Sequence, residues 1–212
     1  MHNGFVNVNA EKMSKSLGNF FTVREVLKTL RPEVMRMFVL GSHYRGPINY
    51  SDDNLKQADG ALERIYTALR EVTPVAGVMS AATARFAEAM NDDFNTPEAL
   101  AVLLALARDL NVAKAAGQAD TAAALAGELI ALGQVLGILT IDADVWLKAR
   151  PGQSIDTPAE DPAAAEIDAL VAARKAARAA KKFAESDRIR DELLARDVIL
   201  EDGPKGTTWR YR

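Results

Sequence analysis

The sequence predicts a mainly α-helical protein ending in a small α/β unit with a two-stranded hairpin, and three observations carry that reading. Apolar residues recur at helical spacing through Leu55, Ala58, Leu62, Ile65, Tyr66 and Leu69, and two more long segments of helical character follow. Residues 151–162 collect Pro, Gly, Ser, Thr and acids, which is linker composition. Beyond them, an Ala-, Arg- and Lys-rich stretch leads into two short runs separated by Glu201-Asp202-Gly203-Pro204-Lys205-Gly206, which is turn chemistry.

The elements follow in order. Phe5-Val6-Asn7-Val8-Asn9 alternates apolar and polar residues and reads as a strand. Glu11 to Phe21 is too polar and too broken for a core element. Thr22 suits the N-cap of a helix over Val23 to Leu30. Pro32 opens a second helix with Val34, Met35, Phe38, Val39 and Leu40 as its apolar stripe. Gly41 to Tyr50, with Gly46 and Pro47, reads as a loop. Ser51-Asp52-Asp53 caps a long helix to about Glu71, and Pro74 to Met79 breaks it. A helix over Ala81 to Met90 turns Phe86 and Met90 inward. Thr96 caps, and Pro97 enters the first turn of, a helix to about Ala115; Asp120 opens another to about Leu136. Residues 51–150 therefore read as an antiparallel helical bundle. Ala163 to Asp197 gives two helices with a break near Lys182-Phe183. Val198-Ile199-Leu200 and Thr207 to Tyr211 form the hairpin, with Val198, Leu200 and Trp209 on the face that covers the helices. The expected division is 1–50, 51–150, a linker over 151–162, and 163–212.

Composition removes several function classes. With 29 acidic and 26 basic residues the net charge is −3, so a nucleic-acid partner must be met by a local basic patch. The absence of cysteine removes disulfides, thiolate metal sites and a cysteine nucleophile, and fits a reducing cytoplasm. Met1-His2-Asn3-Gly4 lacks the pattern of a signal peptide, and no apolar run is as long as a membrane span.

The candidate chemistry lies in two places. Lys12 and Lys15 sit three apart among serines on a loop with Gly18. Two lysines alone would read as a solvated loop, although lysine is a compact charge on a flexible stem, suited to following charge that moves. The second place is the run Arg174, Lys175, Arg178, Lys181, Lys182, Arg188 and Arg190. Such runs are usually solvated helix faces. Here Phe183 stands among the cations, where an aromatic ring can stack on an unpaired base. Asp187 and Asp202 can accept hydrogen bonds from base edges. Asp92, Asp93 and Asn95 fail the EF-hand pattern, because Phe94 stands where an oxygen is needed; they read as a helix-entry loop. His43, Tyr44 and Arg45 fit either an RNA contact or a polar junction between helices.

Lys12-Met13-Ser14-Lys15-Ser16 is identical to the KMSKS signature of class I aminoacyl-tRNA synthetases. The segments around His43-Tyr44-Arg45, Asn49-Tyr50-Ser51 and Leu62-Glu63-Arg64 resemble those that follow this loop in cysteinyl-tRNA synthetases. Asp92-Asp93-Phe94-Asn95-Thr96-Pro97-Glu98-Ala99 and Leu200 to Arg210 do so too. The resemblance is collinear over essentially the whole chain. It implies an ATP-dependent ligase of cysteine and its tRNA, with magnesium accompanying ATP. Lys12 and Lys15 would be catalytic and Lys12, Met13, Ser14, Lys15 and Ser16 would bind ATP. Arg178, Phe183, Asp187 and Asp202 occupy the positions that match the family's anticodon contacts. The family's HIGH signature and zinc site lie in a nucleotide-binding domain that this chain, with two histidines and no cysteine, does not carry. Met1 thus reads as a fragment boundary inside the catalytic half. The isolated chain is expected to be inactive, monomeric and without bound metal, and Phe5, Val6 and Val8 to fray for want of sheet neighbours. Two rivals stand beside this reading: a related cysteine–amino sugar ligase, which needs no anticodon reader, and a free-standing tRNA-binding module.

Overall fold

β1 (Val6–Val8) is the central strand of a three-stranded sheet in the computed structural model, which describes residues 2–149, 162–203 and 206–211. It pairs antiparallel with β2 (Glu11–Lys12) through Asn7↔Lys12 and Val8↔Glu11. Asn9 and Ala10 between them have φ of 49° and 68°, the left-handed pair whose twist matches a two-residue hairpin. Thr22 caps α1 (Val23–Val26) in a capping box: its Oγ1 accepts from Glu25 N, and Glu25 Oε2 accepts from Thr22 N at 2.7 Å. The helix expected to reach Leu30 is regular only to Val26 and continues in hydrogen-bonded turns. α2 (Pro32–Leu40) buries Val34, Met37 and Phe38, while Val39 is largely exposed. The expected stripe was wrong there, because Met37 and not Val39 completes the i, i+3, i+4 face.

The segment Gly41 to Tyr50 is not all loop. β3 (Ile48–Tyr50) lies parallel to β1, Val6↔Ile48 to Val8↔Tyr50. Three residues are too few to show a period, and the partner that supplies their hydrogen bonds is forty-two residues earlier. β1 is therefore paired on both edges, although Phe5 remains exposed.

α3 (Asp52–Leu69) is capped by Ser51 and buries all six residues of its expected face. α4 (Ala81–Asn91), α5 (Thr96–Ala115) and α6 (Ala119–Val135) complete a helical bundle in which α5 packs against α3, α4 and α6. Asn95, not Thr96, caps α5: its Oδ1 accepts from Glu98 N, and Thr96 Oγ1 instead donates to Leu40 O at 2.8 Å. Phe86 is buried, but Ala89 takes the inward place expected for Met90, which is half-buried.

Three polar groups fix the bundle, Glu33 and Glu128 buried and Lys114 half-buried. Glu33 accepts from Tyr66 Oη at 2.6 Å and from Thr140 N and Oγ1. Glu128 accepts from the backbone and hydroxyl of both Ser80 and Thr83, satisfying the N-terminus of α4. Burial pushes the Glu128 carboxyl up, but those hydrogen bonds outweigh it and hold it below the usual range. Lys114 Nζ donates to Ala68 O and Arg70 O, where α3 ends. Gly127 is required on α6, since a Cβ there would collide with the Val75 carbonyl.

The chain divides into two compact units, Met1–Ala143 and Asp144–Arg212. The boundary falls at the first residue of α7 (Ala143–Lys148), a short helix that the sequence did not suggest. The linker expected over 151–162 lies outside the described residues up to position 161, as do Pro204 and Lys205 of the expected turn. α8 (Pro162–Ala179) and α9 (Phe183–Ala195) are separated by a break in which Lys181 has φ 57°. β4 (Val198–Gly203) and β5 (Gly206–Tyr211) pair from Val198↔Tyr211 to Gly203↔Gly206, so most of the expected turn is strand. Ile167, Ile189, Leu193, Val198, Trp209 and Tyr211 form the core of this unit. Trp209 is a core residue, as expected, and its Nε1 donates to Asp168 Oδ1 at 2.6 Å.

Candidate functional site

The lysine loop is a closed turn hung from the end of the first hairpin. Met13 N donates to Val6 O at 3.1 Å, continuing the ladder past Lys12. Asn19 then staples the loop: its Oδ1 accepts from Ser14 N at 2.8 Å and its Nδ2 donates to Lys12 O at 3.2 Å. Ser14 Oγ accepts from Leu17 N, and Gly18, at φ 67°, closes back onto Lys15 O. The backbone is thus tied while both ammonium groups stay exposed. Lys12 Nζ lies 5.1 Å from the Phe5 ring centre and Lys15 Nζ 5.4 Å from that of Phe20. Neither makes an ion pair among the described residues. A cation over an exposed ring is held by about 0.5–1 kcal/mol, so either group can leave for a phosphate. Asn19 is the residue that sequence reasoning passed over; its place, four residues after Lys15 in a Ser- and Gly-rich loop, was the available signal.

His43, Tyr44 and Arg45 form a polar junction. Asp93 accepts from Tyr44 Oη at 2.8 Å and pairs with Arg45 Nε at 2.7 Å, while the His43 ring stacks on Tyr44. The Tyr44 hydroxyl, and then Arg45, hold the Asp93 carboxyl below its usual range. Asp93 and Phe94 both have positive φ, so the helix-entry loop is bent to meet this junction.

In the second unit, Asp202 stands on β4 opposite Thr207 on β5. Arg174 and Arg178, one turn apart on α8, reach it together. Arg174 Nη1 and Nη2 donate to the two carboxylate oxygens at 3.1 and 3.2 Å, Arg178 Nη1 donates at 3.2 Å, and Thr207 Oγ1 at 2.6 Å. The hydrogen bonds from Arg174 and Thr207 hold this carboxyl far below the aspartate range, against a smaller push from desolvation. Phe183 opens α9 with its side chain exposed, and Asp187 lies one turn on, paired with Arg190 at 3.3 Å. Arg188 is held by Glu185 and Glu192. All four arginines of the basic run are therefore ion-paired, and among the described residues Lys175, Lys181 and Lys182 are its cations without an ion pair. The structure brings Arg178 and Asp202 into contact and adds Arg174, which the sequence named only within the basic run, and Thr207, which it did not single out. The hairpin register would have given Thr207, and the four-residue spacing from Arg178 would have given Arg174.

Among the described residues no group of three His, Cys, Asp or Glu side chains could hold a metal ion, and no helix is long and apolar enough to cross a membrane.

Three family models match the chain in order. The model for tRNA synthetases class I (C) catalytic domain matches residues 1–60, that for the DALR domain matches 85–140, and that for the cysteinyl-tRNA ligase anticodon binding domain matches 161–210. The chain is 55% identical to a cysteine–tRNA ligase of Methylococcus capsulatus, over 99% of this chain and 45% of that protein. It is 55% identical to one from Halorhodospira halophila, covering 99% of this chain and 44% of that protein. It is 53% identical to one from Azotobacter vinelandii, again over 99% of this chain and 44% of the relative. A solved ternary complex, LeuRS–tRNA–LeuAMS of Agrobacterium radiobacter K84, superposes with a TM-score of 0.48 and 21% identity, over 73% of this chain and 23% of that one. The chain spans about 45% of the length of the cysteine–tRNA ligases it matches. With the KMSKS loop inside the first match and the Asp202 cluster inside the last, the chain belongs to the cysteinyl-tRNA synthetase family.

Proposed function

We propose that this chain supplies the KMSKS loop and the tRNA-recognition part of a cysteine–tRNA ligase, an enzyme that activates cysteine with ATP and transfers it to cysteine-specific tRNA. The observation that carries the reading is the collinear order of a class I catalytic segment, a DALR segment and an anticodon-binding segment in one chain. Residues 1–50 serve as the catalytic segment, 51–150 as the tRNA-binding bundle and 163–212 as the anticodon unit, joined through 151–162.

Adenylate formation builds negative charge on the phosphates of ATP as pyrophosphate leaves. Lys12 and Lys15 stabilise that charge, and Met13, Ser14 and Ser16 complete the ATP contact. Exposed ammonium groups on a backbone tied by Asn19 fit that task. Magnesium accompanies the phosphates. Zinc does not fit the residues present: there is no cysteine, and His43 is stacked on Tyr44. Any zinc belongs to the part of the relatives that this chain does not match. In the second unit Arg178, Phe183, Asp187 and Asp202 contact the anticodon, with Phe183 as the stacking platform. The protein works as a cytoplasmic monomer.

The match of 161–210 to an anticodon-binding domain favours this reading over a cysteine–amino sugar ligase. A binding titration of the 212-residue chain against cysteine-specific tRNA, and against the same tRNA with a changed anticodon, tests it at two salt concentrations. A preference for the native anticodon, lowered by Phe183→Ala, is expected. Equal binding to both would refute the anticodon assignment. The same chain is expected to show no cysteine-dependent pyrophosphate exchange; a full rate would show that it carries an entire active site.

A further inference from the structure

Arg174 differs from the other arginines of the basic run. Its side chain is 10% exposed, against 53% for Arg178. Its two terminal nitrogens grip both oxygens of Asp202, while its buried Nε has no hydrogen-bond acceptor among the described residues. A bidentate fork fixes the plane of a carboxylate and not only its charge. Asp202 itself is half exposed. It is an acceptor on the surface whose direction is set from beneath.

The acceptor sites of that carboxylate are full. A carboxylate offers about four lone-pair positions. Oδ1 takes Arg174 and Thr207, and Oδ2 takes Arg174 and Arg178. A further donor can enter only where a partner leaves. Arg178 holds by one nitrogen and is exposed, so it is the partner most easily exchanged. Arg174 and Thr207 then remain and keep the carboxylate oriented.

We infer that Arg174 is a positioning residue, which aims the Oδ2 edge of Asp202 at an N–H on the edge of an unpaired nucleobase that takes the place of Arg178. Arg178, once displaced, is free to meet a phosphate. The inference rests on the proposed reading of Asp202 as an anticodon contact.

The test is the two-tRNA titration at two salt concentrations, run on the 212-residue chain and on Arg174→Lys, Thr207→Val and Asp202→Asn. Lysine keeps the charge and loses the fork. Arg174→Lys should therefore lower the preference for the native anticodon about tenfold with the salt slope unchanged. Asp202→Asn should lower it as much, and the double variant no further. Thr207→Val, which removes one surface donor, should lower it about threefold, the effect of a single modest hydrogen bond. If Asp202→Asn loses the preference and Arg174→Lys keeps it, Asp202 reads the base without Arg174 and the inference is overturned. If Asp202→Asn keeps the preference, the reading of Asp202 fails first, and the inference with it. Circular dichroism checks that each variant folds. Should Arg174→Lys unfold the second unit, Thr207→Val decides: a lowered preference supports the orientation of Asp202 by its fixed partners, and a wild-type preference overturns it.

Discussion

The lysine loop and the Asp202 cluster use cations in opposite ways. In the loop, the backbone is tied by Asn19 and the two charges rest on aromatic rings without a carboxylate. In the cluster, two arginines and a threonine converge on one aspartate. A charge that must follow a changing substrate gains from weak partners. A charge that must hold one geometry gains from strong, directional ones. Residue type follows the same division, with lysine in the loop and arginine in the cluster.

The sharpest way to break the comparison is to remove the frame of the second unit. Trp209 is fully buried, lies edge-on to Tyr211 and donates to Asp168. Trp209→Ala should cost about 3–5 kcal/mol, more than so small a unit can spare. Hydrogen exchange should show protection lost across α8, α9 and the hairpin, while α3, α5 and α6 keep theirs. Protection retained in α8 would show that the unit has another anchor.

A smaller effect is expected from acid. The Asp202 carboxyl is depressed when folded, so its contribution to stability is present above the unfolded aspartate value of about 3.9 and fades as pH falls below it. At pH 7, Asp202→Asn should lower the melting temperature of the second unit by a few degrees, about 1 kcal/mol, because buried Arg174 loses the carboxylate charge and one of its two acceptor oxygens. The gap to wild type should stay constant above about pH 5 and shrink below about pH 4. A gap that is the same at pH 3 as at pH 7 would mean that the pairing contributes no stability.

The smallest effect belongs to the loop. Lys12→Ala and Lys15→Ala should each cost about 0.5 kcal/mol, the low end for a cation over an exposed ring, since both are exposed and make no ion pair among the described residues. A larger loss in thermal melts would show that the lysines hold the loop together, and the contrast with the cluster would collapse.

The difference also explains what could be read in advance. The face of α3 from Leu55 to Leu69 was legible because a long helix repeats its period many times. β3 was hidden because Ile48 to Tyr50 gains its strand character from β1 and not from its own pattern. Val39 was misplaced for Met37 on a helix of nine residues, where one wrong phase has nothing to correct it. The lysine loop was legible because its residues are consecutive. The Asp202 cluster was half legible, since its members come from α8, β4 and β5 and meet only through the hairpin register. Asp202 and Arg178 were named as contacts, while Arg174, which grips both oxygens of Asp202, was named only as a member of the basic run.

β3 sets the smallest piece of chain that could carry the loop as a transplant. Ala10 N, in the turn before the signature, donates to Asn49 Oδ1 at 2.7 Å, and Asn9 N donates to Tyr50 O at 3.0 Å. The peptide Glu11 to Phe21 contains every KMSKS atom and neither of those acceptors. A graft cut at Leu40 keeps both helices after the signature and still loses them. An engineer moving this loop into another scaffold would have to carry residues up to Tyr50, or rebuild the edge that the parallel strand provides.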